Sequence, residues 1–303
     1  MRPETPAADK SGACLSAAEP ANSKCVSLSS VRYEPNRIAR LGLGAWPLMC
    51  RELWGARELA ARLFLRNLKA RYKQALLGFF WALLVPLLAV GTFVLLNRAG
   101  VLVIGPTDVP YPLFALAGLT VFQLFSTGLV SSCSALVEAG DMIARVNFPR
   151  EVLVLAAIGQ AVFELLVKTA LIAAACVYYG FLPPAGALLV PFTLVPLILL
   201  TLGLGLFLSL ANAVFRDTAQ AVGVLLTFLM FLTPVLYPAD GAREWLFRLN
   251  PLTALVEASR DLFIYGALRH PLDFGLASAG SLLVFLCAWR IFHLVSTKVP
   301  ERI

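Results

Sequence analysis

Long apolar runs separated by short polar connections dominate the chain. Six such runs, at about 75–96, 112–137, 152–178, 186–214, 219–237 and 271–291, come close to or exceed the roughly 20 residues that an α-helix needs to cross about 30 Å of hydrocarbon. The first, "ALLGFFWALLVPLLAVGTFVLL", carries no charge and contains Pro86; neighbouring helices can satisfy the carbonyl that a proline frees inside a membrane. The pattern predicts an all-α integral membrane protein whose transmembrane domain, residues 75–291, has six spans.

Two stretches follow a different rhythm. From Arg51 to Lys73, "RELWGARELAARLFLRNLKARYK" sets Leu53, Ala56, Ala60, Leu63, Phe64 and Leu68 at helical spacing, with Arg57, Arg62, Arg66, Lys69 and Lys73 among them. It reads as an amphipathic helix lying in the membrane interface, within a basic cytoplasmic segment 31–74; an ordinary surface helix of a small soluble domain is the alternative. Between the fifth and sixth runs, "EWLFRLNPLTALVEASRDLFIYGAL" alternates apolar and charged positions and breaks at "NPLT", where Pro251 disfavours the helix before it and Asn250 or Thr253 can cap the helix after it. Two short amphipathic helices follow from this, re-entrant where packed on protein, with a solvated loop as the alternative. Residues 1–30 are rich in Ala, Ser and Pro, lack the apolar core of a signal peptide, and read as a disordered tail.

Composition agrees with the pattern: 59% of the 303 residues are hydrophobic and 14% charged, too apolar for an average soluble domain. The formal charge of +7 needs no nucleic-acid partner, because Lys and Arg retained in cytoplasmic segments account for it. Segment 31–74, "ARVNFPRE" (144–151), "FRD" (215–217) and the tail 292–303 are basic or mixed, whereas "YYGFLPPAGA" (178–187) has no charge. Six spans put both termini on one side, so both are expected in the cytoplasm. Segment 238–270, on the outer side, balances Arg243, Arg248, Arg260 and Arg269 against Asp240, Glu244, Glu257 and Asp261. The six cysteines (14, 25, 50, 133, 176, 287) are scattered without C-x-x-C, and His270 and His293 are too far apart for a recognisable metal site.

Charges inside the apolar runs are costly, about 2.5 to 3.5 kcal/mol each at mid-bilayer. Glu164 and Lys168, four residues apart in the third run, have the spacing and order of a helical ion pair. Such a pair either fixes helix packing or lines a polar path. Asp217 sits where it can cap the fifth span.

"ARVNFPRE" is the most polar connection between two runs. A plain linker would explain it, but "AGDMIARVNFPRE" is long enough for one short helix and a Pro stop, and Met142, Ile143, Val146 and Phe148 would offer apolar surface to a protein partner. Together with "RYKQALLGFFWALLVPLL" (71–88), "FRDTAQAVGVLLTFLMFLTPVLYP" (215–238) and "LNPLTALVEASRDLFIYG" (249–266), "RVNFPREVL" (145–153) resembles the permease subunits of type-2 ABC exporters of cell-surface polysaccharides, a family that includes the O-antigen, teichoic-acid and capsule exporters. The resemblance covers roughly residues 50 to 295, in order and with matching spacing. The long N-terminal extension, and Val154 where the family often has a second proline, depart from its pattern.

The resemblance implies a bacterial inner-membrane homodimer that moves an undecaprenyl-linked glycan with two copies of a cytoplasmic ABC ATPase. It makes 139–150 a coupling helix, with Arg145, Val146, Asn147, Phe148, Pro149, Arg150 and Glu151 meeting the ATPase. The chain has no G-x-x-x-x-G-K-[ST], so ATP and Mg belong to that partner and no cofactor is expected in this chain. Arg62, Arg66, Lys69, Arg71 and Lys73 would receive a pyrophosphate head group and membrane lipid, and 243–268 would be outer gate helices with Asn250, Pro251, Glu257 and Arg260 as gate residues. Phe79, Phe80, Trp81 and Tyr237 are candidates for contacting sugar at the pore, with lipid packing the alternative for each. Permeases for a lipid, a drug or an oligosaccharide would share this layout. A membrane transferase or hydrolase would need convergent acid, base or nucleophile groups, and no paired carboxylates stand out. A secondary transporter would usually show internal repeats, which the chain lacks.

Overall fold

The computed structural model describes residues 45–73, 78–100, 107–146, 148–238 and 250–295. The tail expected at 1–30, residues 31–44 of the basic segment, Asn147, most of the first outer helix (243–249) and residues 296–303 lie outside them. The described residues contain helices and no strand. In order these are α1 (Ala45–Gly55), α2 (Arg57–Lys73), α3 (Gly78–Arg98), α4 (Tyr111–Glu138), α5 (Gly140–Arg145), α6 (Glu151–Tyr179), a 3-10 turn (Ala185–Leu189) continuing into α7 (Val190–Val214), α8 (Thr218–Leu232), α9 (Pro251–Ile264) and α10 (Pro271–Val295). Among the described residues four helical segments are long and apolar enough to cross a membrane: Tyr111–Glu138, Glu151–Tyr179, Ala185–Val214 and Pro271–Val295. Leu83–Arg98 and Thr218–Leu232 are shorter apolar helices.

Local chemistry sets the helix ends. Gly180 takes a left-handed φ of 65° after α6, and the Phe181 amide reaches back to the Cys176 carbonyl at 2.9 Å, closing the orphan carbonyls in the manner of a Schellman turn. Asn250 caps α9: its backbone is extended and its Oδ1 accepts from the Leu252 amide at 3.0 Å. Thr253, the other candidate cap, instead has a buried hydroxyl with no hydrogen-bond partner among the described residues. The cap expected from Asp217 is not made. Asp217 is itself helical (φ −75°, ψ −9°) and its side chain bonds no α8 amide, since a capping side chain needs an extended backbone to fold back. The buried Asn212 replaces it, accepting from the Ala219 amide at 3.2 Å while its Nδ2 donates to the Cys133 carbonyl at 3.1 Å.

At the centre, α4 packs against α6 and α7, and α7 against α10. Small residues make this possible, as expected where no hydrophobic force drives helices together in lipid. A Cβ on Gly128 (α4) would lie 2.9 Å from the Thr201 side chain of α7 and 3.4 Å from Ala161 of α6. Along α7, Gly205 abuts Ser132 of α4, while Gly203 abuts the Phe285 backbone of α10. Two residues span about 200° of helix, so these glycines open opposite faces of α7 to different neighbours. The resulting core includes Leu119, Phe122, Leu197 and Leu255, with a second cluster of Leu206, Trp289 and Phe292 toward α1.

At Gly203 a Cβ would sit 2.8 Å from the Phe285 Cα, so Gly203→Ala is expected to cost about 2 kcal/mol. Gly223→Ala, in open space, is expected to be neutral; unfolding in detergent compares the two. Asn212→Ala is expected to cost about 1 kcal/mol or more, and Asp217→Ala less than half that, in the same assay.

Candidate functional site

Sequence-predicted site residues fall into three groups. At the first, the α5 end, the connection is helical only over Gly140–Arg145, shorter than the 139–150 expected. Val146 is already extended (φ −130°, ψ 130°), and Pro149 keeps the residue before it out of the helical region. The apolar surface expected to be free is mostly covered by the chain itself. Met142, Ile143 and Phe148 pack on a cluster of Leu63 from α2, Ala139, and Val152 and Leu153 from α6. Val146, 54% exposed, and Arg145 remain open to a partner. Burial lowers the Arg150 guanidinium from its usual value, opposed by the Glu151 carboxylate, and its Nη1 has no hydrogen-bond partner among the described residues. Glu151, the first residue of α6, is buried and meets the buried His293 of α10, Oε1 to Nδ1 at 3.1 Å.

The second group joins two sets that the sequence kept apart. Helix α2 runs beside α6 in the same direction: Phe64 lies over Gly159, where a Cβ would be 3.1 Å from its ring, and Arg71 reaches Glu164 at 2.9 Å. Glu164 also holds Lys168 at 3.6 Å. One buried carboxylate thus serves two cations, Lys168 with 5% and Arg71 with 50% of its side chain exposed. Arg62, Arg66 and Lys69 are exposed along α2, Arg66 approaching the Met142 sulfur at 3.8 Å; the Lys73 side chain lies outside the described residues.

The third group gathers where α4, α9 and "TPVLYP" meet. Arg260 is buried, donates to the Pro234 carbonyl at 2.9 Å, pairs with Glu257 at 3.7 Å and stacks 4.1 Å over the Phe114 ring. Asn250, followed by Pro251 in the first turn of α9, donates to the Thr233 hydroxyl at 3.1 Å. The Tyr237 hydroxyl donates to the Phe231 carbonyl, and Tyr111 to Leu236 at 2.9 Å. Just outside, Asp108 accepts from Tyr265 at 2.7 Å and pairs with Arg269 at 3.3 Å, whose guanidinium lies 3.7 Å over the Tyr265 ring. Burial and the Asp108 hydrogen bond raise the Tyr265 phenol above its ordinary value. Phe80 and Trp81 are each about half exposed on α3, while the Phe79 side chain lies outside the described residues.

Sequence reasoning missed His293, Asn212, Asp108 and Arg269. The signal for Asn212 was an amide among apolar residues close to the next helix. For His293 it was an imidazole at the end of an apolar run, which had been weighed only as a metal ligand. Asp108 and Arg269 left no signal, because the residues that join them are far apart in sequence. Arg260→Met removes the buried guanidinium of the third group and strands the Pro234 carbonyl; a loss of about 3 kcal/mol in thermal unfolding is expected.

Comparison with known proteins adds the family context. Residues 59–264 match the ABC-2 type transporter family. An O-antigen export system permease protein, RfbA, of Myxococcus xanthus is 31% identical over 261 residues, 84% of this chain and 99% of that one. The RfbA of Klebsiella pneumoniae is 27% identical over 240 residues, 78% and 91% of the two chains. The polysialic acid transport protein KpsM of Escherichia coli is 27% identical over 236 residues, 76% and 91%.

Proposed function

The chain belongs to the family of ABC-2 type transporters, and from that premise we propose that it is the permease subunit of an ATP-driven exporter that carries a lipid-linked, O-antigen-like polysaccharide out across the bacterial inner membrane. The observation that carries this is the similarity to an O-antigen export permease along nearly that protein's whole length. In this reading two copies of a six-span subunit form the path, with Leu83–Arg98 and Thr218–Leu232 as the first and fifth spans beside the four longer ones. Both termini face the cytoplasm, in keeping with the basic short connections, and two copies of a separate ABC ATPase bind and hydrolyse ATP with Mg. The substrate is a glycan on an undecaprenyl carrier.

Force enters at the α5 end. Arg145, the last residue of α5, and Val146 just after it are exposed and meet the ATPase, while Phe148 and Met142 hand displacement to α2 and α6 through their shared cluster. Glu151 and His293 tie the same point to α10. The exposed cations of α2 attract anionic lipid at about 1 kcal/mol each, and α9, held on "TPVLYP" by Arg260 and Asn250, forms the outer gate. Because the surface facing the ATPase is separate from the packing beneath it, the two are separable by mutation. With the cognate ATPase co-expressed, Arg145→Ala with Val146→Ala is expected to abolish glycan export and permease-dependent hydrolysis while leaving the melting temperature unchanged. Phe148→Ala is expected to lower that temperature as well. Normal export by the double variant would reduce 139–150 to a linker.

A further inference from the structure

The chain has two histidines, and α10 keeps them at opposite ends: His270 immediately precedes its first residue and His293 lies in its last turn. His293 is buried against Glu151. We propose that His293 is a protonation switch that governs how firmly α10 is tied to the connection between α5 and α6, so that cytoplasmic acidity sets how much hydrolysis becomes transport. This regulatory role rests on the exporter reading, which puts the α5 end at the ATPase; the pair itself rests on the following geometry.

Both helices favour the charged form of the pair. Glu151 occupies the first turn of α6 and His293 the last turn of α10, where the helix dipoles favour an anion and a cation respectively. Nδ1 lies 3.1 Å from Oε1, so a protonated ring makes a charge-assisted bond to the carboxylate and a neutral ring a weaker one. Imidazole is the side chain that ordinarily gains and loses its charge near neutral pH. Small exposed remnants of both side chains, 8% and 9%, give a proton a way in from solvent.

The elements packed around this point turn mostly apolar side chains to it. Trp46 and Met49 come from α1, Leu206 and Leu210 from α7, while Leu63 of α2 and Ala139 close over the start of α6. Glu138, at the end of α4, is exposed. On α10 itself Arg290 points its Nη1 at the Met49 sulfur, 3.9 Å away. Arg150 is different. The Glu151 carboxylate acts on its charge, and its Nη1 is buried with no hydrogen-bond partner among the described residues. Glu151 thus has two claimants: His293, which binds it to α10, and Arg150, which belongs to the polar connection.

With the ring protonated, the carboxylate is held on α10, and a displacement of the connection is carried into α6 and α10 together. As pH rises and the ring loses its charge, Glu151 turns to Arg150 and α10 is left behind. The tie is therefore present at low pH and lost as pH rises through the titration of the ring. His293 acts through Glu151, which makes it a positioning residue.

The test uses the permease–ATPase complex in proteoliposomes, each variant first shown to assemble. Glycan exported per ATP hydrolysed is followed from about pH 6 to about pH 8, and in the wild type it is expected to fall about threefold. His293→Gln keeps a donor for Glu151 without a titrating charge, and a flat profile is expected. His270→Gln, at the other end of α10, is expected to keep the wild-type profile. Taking each variant relative to the wild type at the same pH cancels the pH dependence of the ATPase itself. In a wild-type complex whose permease alone carries isotope-labelled histidine, the charge of the His293 ring is expected to follow the same curve as the yield. Glu151→Gln is expected to uncouple them: the ring still titrates, while the yield stays low throughout. A ring whose charge does not change over this range, or one profile shared by the wild type and His293→Gln, would overturn the switch. If export is intact and indifferent to His293, the switch fails and the exporter reading stands. If no glycan moves while permease-dependent hydrolysis follows the charge of the ring, the switch stands and the glycan reading fails.

Discussion

A chain that buries polar groups in a bilayer has to supply their partners itself, and in this molecule nearly every internal arrangement follows from that requirement. Water is absent from the hydrocarbon, so an unpaired charge or amide there costs several kcal/mol. Glu164 is paired twice, Asn212 both accepts and donates, and Arg260 finds a carbonyl, a carboxylate and a ring. Each of these side chains joins segments distant in sequence. The polar groups thus specify which helices meet, and the small residues along α4 and α7 allow them to meet closely.

The same requirement links the two ends of the molecule to its middle. Glu151 is both the start of α6 and the partner of His293 at the end of α10, so the polar connection between α5 and α6 is anchored in two helices. Arg71 is both the far end of α2 and a ligand of α6. A helix that the sequence described as lying at the interface is therefore attached through its final turns to the interior of the bundle. The α9 end has its own clasp in Asp108, Tyr265 and Arg269, which joins the segment before α4 to the segment after α9.

Most of the helical architecture was legible in the sequence because apolar length is a property of consecutive residues. The all-helical class follows from it, as does the contrast between the charge-free first apolar run and the mixed α2. Local signals also served where the partner was close in sequence: Asn250 before Pro251 caps α9, and Glu164 with Lys168 is an i to i+4 pair. What escaped was whatever depends on two distant segments meeting. Composition cannot say that Phe148 will be covered by α2 instead of a partner, or that Arg71 will reach Glu164. The expected Asp217 cap failed for a related reason: its residue type was right, but the turn after α7 leaves its backbone helical.

The glycines of α7 carry a mechanical consequence. Because Gly203 faces α10 and Gly205 faces α4, each at a distance no side chain would tolerate, α7 is keyed on two sides like a spline in a slot. Turning it by even one residue's arc, about 100°, would drive Leu202 or Leu204 into a backbone. It therefore serves as a fixed post shared by α4 and α10. The helices α3 and α8 pack outside that post, and neither is keyed to it by a glycine: a Cβ on Gly91 or Gly223 would meet open space.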